Sequence, residues 1–311
     1  PFVGKHSKAW NRFKGKFLDS EENEYCVLDP RYNEVRDYLI DTYENAVKEW
    51  GIDGFKLDFI DSFRMTEFSN KYNSEMDTEQ LEDAIEKLLS DVLKKLRDVN
   101  PDILIEFRQN YTGPLMQTYG NMLRASDCPL DALTNRTKTL DLRMMSGCGV
   151  VHSDMLMWDK SGSTENAARQ ITNVLFSVPQ ISVKLNDIPA EHMEMLKFYL
   201  SFCDRYRDVL LEGSLHVYQP EMLYSMAYAQ KGNRAVAVDF SGVVWNIESG
   251  IDEAVYVNAA QKDALYINAE NIDGTYDILN CRGKIIEKGT LLRNTLKKFN
   301  VPVSGMIIIR R

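Results

Sequence analysis

The feature that most constrains this fold is a repeated change of hydrophobic period. A helical stripe is broken by Gly or Pro, and a short apolar run follows that ends in charged residues. Val35, Leu39, Tyr43 and Val47 form one helical stripe running to Trp50, with Asp29-Pro30 as its start signal and Gly51 as its stop. The next run, 54–60, alternates like a strand. A second stripe (Leu81, Ile85, Leu88, Val92, Leu96) opens at Thr78-Glu79-Gln80, stops at Asn100-Pro101 and leads into Ile103-Leu104-Ile105-Glu106-Phe107-Arg108. The pattern continues with a strand over 122–127, a helix over 137–145, a strand over 148–154, a helix over 164–177, a strand over 180–187 and a helix over 189–207. Helix alternating with strand is the signature of a parallel α/β sheet or barrel. With a further strand ending near Val3, about six of the eight βα units of a (β/α)8 TIM-type barrel are expected. The first two would lie before residue 1.

After residue 213 the helical period disappears. Alternating runs at 223–229, 235–240, 254–257, 274–279 and 303–309 are separated by turn signals such as Lys231-Gly232-Asn233 and Cys281-Arg282-Gly283-Lys284. The expectation is a barrel domain over 1–212, incomplete at its N-terminus, and an all-β sandwich domain over 213–311.

Charge and cysteine content narrow the function. The net charge is −9 and the pI about 5.1, which argues against a nucleic-acid partner, whose binding needs a basic face. No apolar run reaches membrane-spanning length, so a soluble chain without a membrane partner is expected. Pro1 is not a natural start, so the compartment, cytoplasmic or exported, is left open, as is the oligomeric state. The five cysteines, Cys26, Cys128, Cys148, Cys203 and Cys281, have no zinc-site or dithiol spacing and read as free, buried thiols. The four histidines form no paired motif, so neither a metal nor another cofactor is expected.

The chemistry is expected where the strands end, because a barrel carries it at the C-terminal ends of its strands. Lys56 and Asp58, two residues apart, share one side of the 54–60 run. The later strands offer Glu106 and Arg108; then Arg124 and Asp127; then His152, Ser153 and Asp154, with Trp158 behind; and finally Asn186 and Asp187. A carboxylate-rich mouth with aromatic walls suits glycoside cleavage. One carboxylate attacks the anomeric carbon and a second protonates the leaving oxygen, with the two roughly 5–5.5 Å apart if configuration is retained. A lysine beside the attacking group favours its ionised form. Trp158 offers a stacking face for a sugar, and packing serves equally as its role. Asp154 and Asp187 read as loop or helix caps, His152 as a core histidine, and Asp53 and Asp61 as turn residues. The 63–78 segment is long enough to count as a functional loop or lid. Competing readings are a Lys56–Asp58 pair that only braces a strand, a metal-dependent barrel enzyme with Asp58 and Glu106 as ligands and Lys56 as base, and a carbohydrate-binding but inactive fragment.

Lys56-Leu57-Asp58 followed two strands later by Arg124-Ala125-Ser126-Asp127 resembles the melibiase-type α-galactosidases of glycoside hydrolase families 36 and 27. Pro1-Phe2-Val3-Gly4 and Val27-Leu28-Asp29-Pro30 are similar to that group's third-strand region. Ser153-Asp154-Met155-Leu156 is similar to its seventh-strand segment, and Pro179-Gln180-Ile181-Ser182 through Asn186-Asp187-Ile188 to its eighth. The similarity runs to about residue 207. It implies a retaining hydrolase acting on terminal α-linked galactose of an oligosaccharide, with Asp58 as nucleophile and Asp127 as acid/base. Lys56 and Arg124 would hold sugar hydroxyls or the surroundings of the nucleophile, and Glu106 or Arg108 would line the sugar pocket. The strand at 103–108 departs from the family's cysteine- or glycine-rich pattern. The family's first two barrel strands and its large N-terminal β-domain have no counterpart here, so a fragment of a longer enzyme is expected.

Overall fold

The computed structural model describes residues 1–108, 112–147 and 149–311. Cys148, expected to be a buried thiol and to begin a strand, lies outside the described residues. The chain divides into two compact units, Pro1–Leu123 and Arg124–Arg311, each described separately.

The first unit contains β1 (Phe2–Gly4), α1 (Lys8–Arg12), β2 (Tyr25–Val27), α2 (Asn33–Trp50), β3 (Gly54–Lys56), α3 (Leu81–Val99) and β4 (Leu104–Arg108). Strand β5 (Met122–Arg124) straddles the division. The two long stripes seen in the sequence are α2 and α3. In α3, Leu81, Ala84, Leu88, Leu89, Val92, Leu93 and Leu96 are buried at three- and four-residue spacing, and the helix packs beside α2. Helix α2 stops at Gly51, whose left-handed φ of 62° returns its N–H to the Val47 carbonyl. Strands β3 and β4 pair in parallel with Gly54 opposite Leu104. A Cβ on Gly54 would lie 2.2 Å from the Leu104 carbonyl oxygen, so only glycine permits this approach.

Three expectations are corrected here. The strand ending near Val3 is not a parallel barrel strand: β1 pairs antiparallel with β2, Val3 opposite Cys26. Val3 belongs to a local core with Trp10, Phe13, Phe17, Leu28 and Met76, while Phe2 is exposed. The 54–60 strand ends at Lys56, because Phe59 turns left-handed (φ 57°) and Ile60–Ser62 form a 3-10 turn. Finally, α2 begins at Asn33 instead of at Asp29-Pro30. Asp29 is fully buried and accepts from the Arg31 backbone N–H and guanidinium, so it braces the approach to the helix without capping it.

The 63–78 segment is anchored. Ser69 Oγ donates to the Leu18 carbonyl at 2.7 Å and Asn70 Nδ2 to the Gly15 carbonyl at 2.6 Å. Met76 is buried, and Asp77 forms a two-pronged ion pair with buried Arg36 at 2.9 and 2.6 Å.

The second unit continues with α4 (Ala132–Met145), β6 (Val150–Leu156), α5 (Thr164–Thr172), β7 (Val178–Ile181), α6 (Ala190–Arg205) and α7 (Arg207–Glu212). Ten strands follow: β8 (Ser214–Tyr218), β9 (Met226–Lys231), β10 (Arg234–Asp239), β11 (Val244–Asn246), β12 (Glu253–Asn258), β13 (Leu265–Asn268), β14 (Gly274–Leu279), β15 (Ile285–Leu291), β16 (Leu296–Phe299) and β17 (Met306–Arg310). Side chains of Asp131 and Ser163 cap α4 and α5. Strands β6 and β7 are parallel.

The later strands form a seven-stranded sheet in the order β15-β14-β17-β12-β10-β9-β8 and a three-stranded sheet, β11-β13-β16. Strand alternation gives the large sheet two apolar faces. Tyr228, Ala237, Tyr256, Ile278 and Ile307 pack toward Trp245, Ile267 and Phe299 of the small sheet. Ala227, Val236, Val255, Val257 and Ile308 join Ile171, Leu196, Tyr199 and Val209 of the helices. The protein is therefore mixed α/β, with parallel strand pairs and a β-rich C-terminal part.

Candidate active site

In the first unit the site residues come from β3, β4 and the turn after β3. Parallel register sets Lys56 opposite Glu106. Two residues further on, Asp58 falls beside Arg108, whose Nε donates to Asp58 Oδ1 at 2.7 Å. The Asp58 side chain is 29% exposed and that of Arg108 8%, so the ion pair is held from the protein side while the carboxylate remains accessible. Phe59, immediately after, holds its left-handed conformation with its N–H donating to Asp58 Oδ1 at 2.9 Å, and its ring meets Phe2 edge-on at 5.6 Å. A bulky residue held at positive φ costs about 1–2 kcal/mol and is most often retained at functional sites. Lys56 ends β3 and Asp58 lies beyond the strand, so the expected shared strand face is not formed; Lys56 is exposed and, among the described residues, makes no ion pair with Asp58, whereas Arg108 does. Glu106 is buried, 5% exposed.

In the second unit Arg124 and Asp127 come together as an ion pair, Nη2 to Oδ1 at 2.7 Å. The Asp127 side chain is 50% exposed and that of Arg124 3%. The other arm of the guanidinium is bound by Asp154, which is fully buried and also accepts the Cys128 backbone N–H. Asp154 thus fixes both ends of the short loop that presents Asp127. Its own backbone is bracketed by Asn135 of α4, whose Oδ1 accepts the Asp154 N–H at 3.0 Å while its Nδ2 donates to the Asp154 carbonyl at 3.3 Å. The β6–β7 register shifts between His152 and Met155, which lets the consecutive residues Ser153 and Asp154 both be buried. Burial and the neighbouring Asp154 charge push the Cys128 thiol up to about 12, so it is inert as a nucleophile at neutral pH.

Asn135 and the bulge were not anticipated. The one sequence trace of the bulge is Ser153-Asp154, a polar pair inside an apolar run. His152 lies beside Gln180, Nδ1 to Nε2 at 3.0 Å. Trp158 is partly buried against the helical core of its unit. Among the described residues no group of three or more His, Cys, Asp or Glu side chains is arranged to hold a metal ion, and no helix is long and apolar enough to cross a membrane.

Solved structures that share this fold include glycoside hydrolases. An α-galactosidase from Lactobacillus brevis matches with a TM-score of 0.64 at 13% identity, over 100% of this chain and 43% of that one. The glycoside hydrolase family 36 α-galactosidase AgaA from Geobacillus stearothermophilus matches with 0.62 at 14% identity, over 99% of this chain and 43% of that one. A family 31 sulfoquinovosidase from E. rectale matches with 0.54 at 14% identity, over 100% of this chain and 50% of that one. At such identities the likeness is one of fold. The chain spans half or less of each of these proteins. No protein-family description matches the sequence, and no curated protein matches it.

Proposed function

We propose that this chain carries the catalytic carboxylates of a retaining glycoside hydrolase that removes terminal α-linked galactose from oligosaccharides or glycoconjugates. Residues 1–212 would belong to its (β/α)8 barrel and 213–311 to a C-terminal β-domain. The observation that carries the reading is that Asp58 and Asp127, each just past a strand end, are both solvent-accessible and both held by a buried arginine. The family 36 fold supports the choice of sugar, as does the AgaA variant from the same Geobacillus species solved in complex with raffinose.

Asp58 would attack the anomeric carbon to form a glycosyl-enzyme, and Asp127 would first protonate the leaving oxygen and then deprotonate the incoming water. Arg108 orients the nucleophile. Arg124, anchored by Asp154, orients the acid/base. Lys56, exposed at the end of β3, would reach sugar hydroxyls, and Glu106 would line the same pocket. Trp158 is proposed as an aromatic wall.

The test is hydrolysis of nitrophenyl α-galactoside, with galactose binding followed by calorimetry. Turnover that disappears in Asp58→Asn while galactose binding persists supports the assignment. Turnover retained by folded Asp58→Asn overturns it.

A further inference from the structure

Within the second unit, on residues outside the candidate catalytic set, lies a cavity of about 330 Å³. It is walled by Arg136 of α4, Arg169 of α5, Phe240 after β10, Lys262 after β12 and Tyr266 of β13. The volume falls at the lower end of the roughly 300–1,000 Å³ typical of small-molecule sites. Three cationic side chains line it, and no Asp or Glu does among the described residues.

Arg136 is the unusual member. It is 8% exposed, and its partners are all neutral. Nη1 donates to Asn173 Oδ1 at 3.2 Å and Nη2 to the Leu223 carbonyl at 2.9 Å. The guanidinium lies 4.1 Å over the Phe240 ring, and Nε has no hydrogen-bond partner among the described residues. Burial, with Arg169 as a second cation nearby, brings its pKa down to about 10, which leaves it charged at neutral pH. A buried charge without a counter-charge is costly, and structural arginines are normally paired with a carboxylate. The buried carboxylate next to the cavity wall, Asp239, makes no ion pair with Arg136 among the described residues: its Oδ1 accepts the N–H groups of Ser241, Gly242 and Val243, and its Oδ2 has no hydrogen-bond partner among them.

We propose that this cavity is a binding site for a small phosphate-bearing molecule, its phosphate held by Arg136, Arg169 and Lys262. A dianion supplies the missing counter-charge, and guanidinium groups bind phosphate oxygens in paired geometry. The cavity is larger than a bare phosphate needs. The remaining space beside Leu133 and Tyr266 suits the organic part of a phosphomonoester.

Calorimetry on the 311-residue chain tests this with inorganic phosphate and glucose 6-phosphate titrated at constant low ionic strength. Saturable one-to-one binding is expected. It should be lost in Arg136→Met and weakened about tenfold or more in Lys262→Glu, whose exposed position leaves the fold intact. Tighter binding of the ester identifies a phosphomonoester ligand, and equal binding identifies free phosphate. If circular dichroism shows Arg136→Met to be misfolded, Lys262→Glu decides. No saturable binding of either compound, or binding unchanged in Lys262→Glu, overturns the proposal.

Discussion

Arg108 Nε, at the end of β4, donates at 2.7 Å to Oδ1 of Asp58 in the turn after β3, so the candidate nucleophile is oriented by the neighbouring strand and not by the lysine that ends β3. Replacing Arg108 with Met frees the carboxylate to rotate while leaving the strand pairing intact. A misplacement of about 1 Å costs roughly 100-fold in rate. Arg108→Met is therefore expected to lower kcat for nitrophenyl α-galactoside by about that factor. Lys56→Met, which breaks no ion pair with Asp58, should act mainly on KM. Steady-state kinetics of the two variants distinguishes them, and equal effects on kcat would contradict the assignment.

Asp127 is accessible enough to exchange protons with a leaving group, and this makes its role separable from that of Asp58. A proton donor matters most when the leaving group is poor. Asp127→Ala is expected to lose about 10²–10⁴-fold on an oligosaccharide and much less on a nitrophenyl glycoside in the glycosylation step. Added azide, which needs no general base, should restore turnover of the activated substrate and yield a galactosyl azide of retained configuration. Equal losses on both substrates would remove Asp127 from the acid/base role.

The Arg124–Asp154 pair is buried on both sides, at 3% and 0% side-chain exposure, so removing Asp154 takes from the buried guanidinium its one fully buried counter-charge and leaves it with the half-exposed Asp127. Asp154→Leu alone is expected to destabilise by about 3–5 kcal/mol, with much of that loss recovered in Arg124→Met/Asp154→Leu. Urea unfolding of the two variants measures this. Any activity left in Asp154→Leu should fall in kcat more than in KM, because the loop carrying Asp127 loses both of its anchors.

Most strands and long helices were legible because the signals that mark them are local. The stripe of α3 and its Asn100-Pro101 stop need no tertiary information, and Asp58, Glu106, Arg108, Arg124 and Asp127 were all visible as charges at strand ends. What remained hidden depends on register or on distant partners. Three-residue β1 could not reveal from Phe2-Val3-Gly4 alone that it pairs with Tyr25–Val27. The partner of Asp58 depends on how β3 aligns with β4, and a one-residue slip would have faced Arg108 the other way. Strands β8, β11, β13, β15 and β16 went unnoticed because they are short or edge-located, with runs such as Ile285–Leu291 largely exposed and without strict alternation. Asn135 escaped because a buried amide that brackets a backbone leaves no pattern beyond its own letter.

Asp77 gives the first unit a calculable response to acid. Its carboxylate closes the 63–78 segment onto α2 through the two-pronged pair with Arg36, and Lys87 adds a contact at 2.9 Å. These hydrogen bonds, that to Arg36 foremost, hold its pKa well below the usual carboxylate range. A carboxyl group with a depressed folded-state pKa is deprotonated in the native state while still binding a proton in the unfolded chain. Its stabilisation is therefore fully present above the ordinary carboxylate pKa of about 4 and is lost as pH falls below it. Asp77→Asn removes the charge but not the shape. The variant is expected to be less stable than the parent at neutral pH, by about 1–3 kcal/mol for the lost charge-assisted hydrogen bonds. The difference should shrink as pH falls from about 5 to about 2, because acid progressively does to the parent what the substitution does at every pH. Urea midpoints recorded for both proteins across that range test it, and parallel curves with a constant offset would show that the Arg36–Asp77 pair is not the linked group.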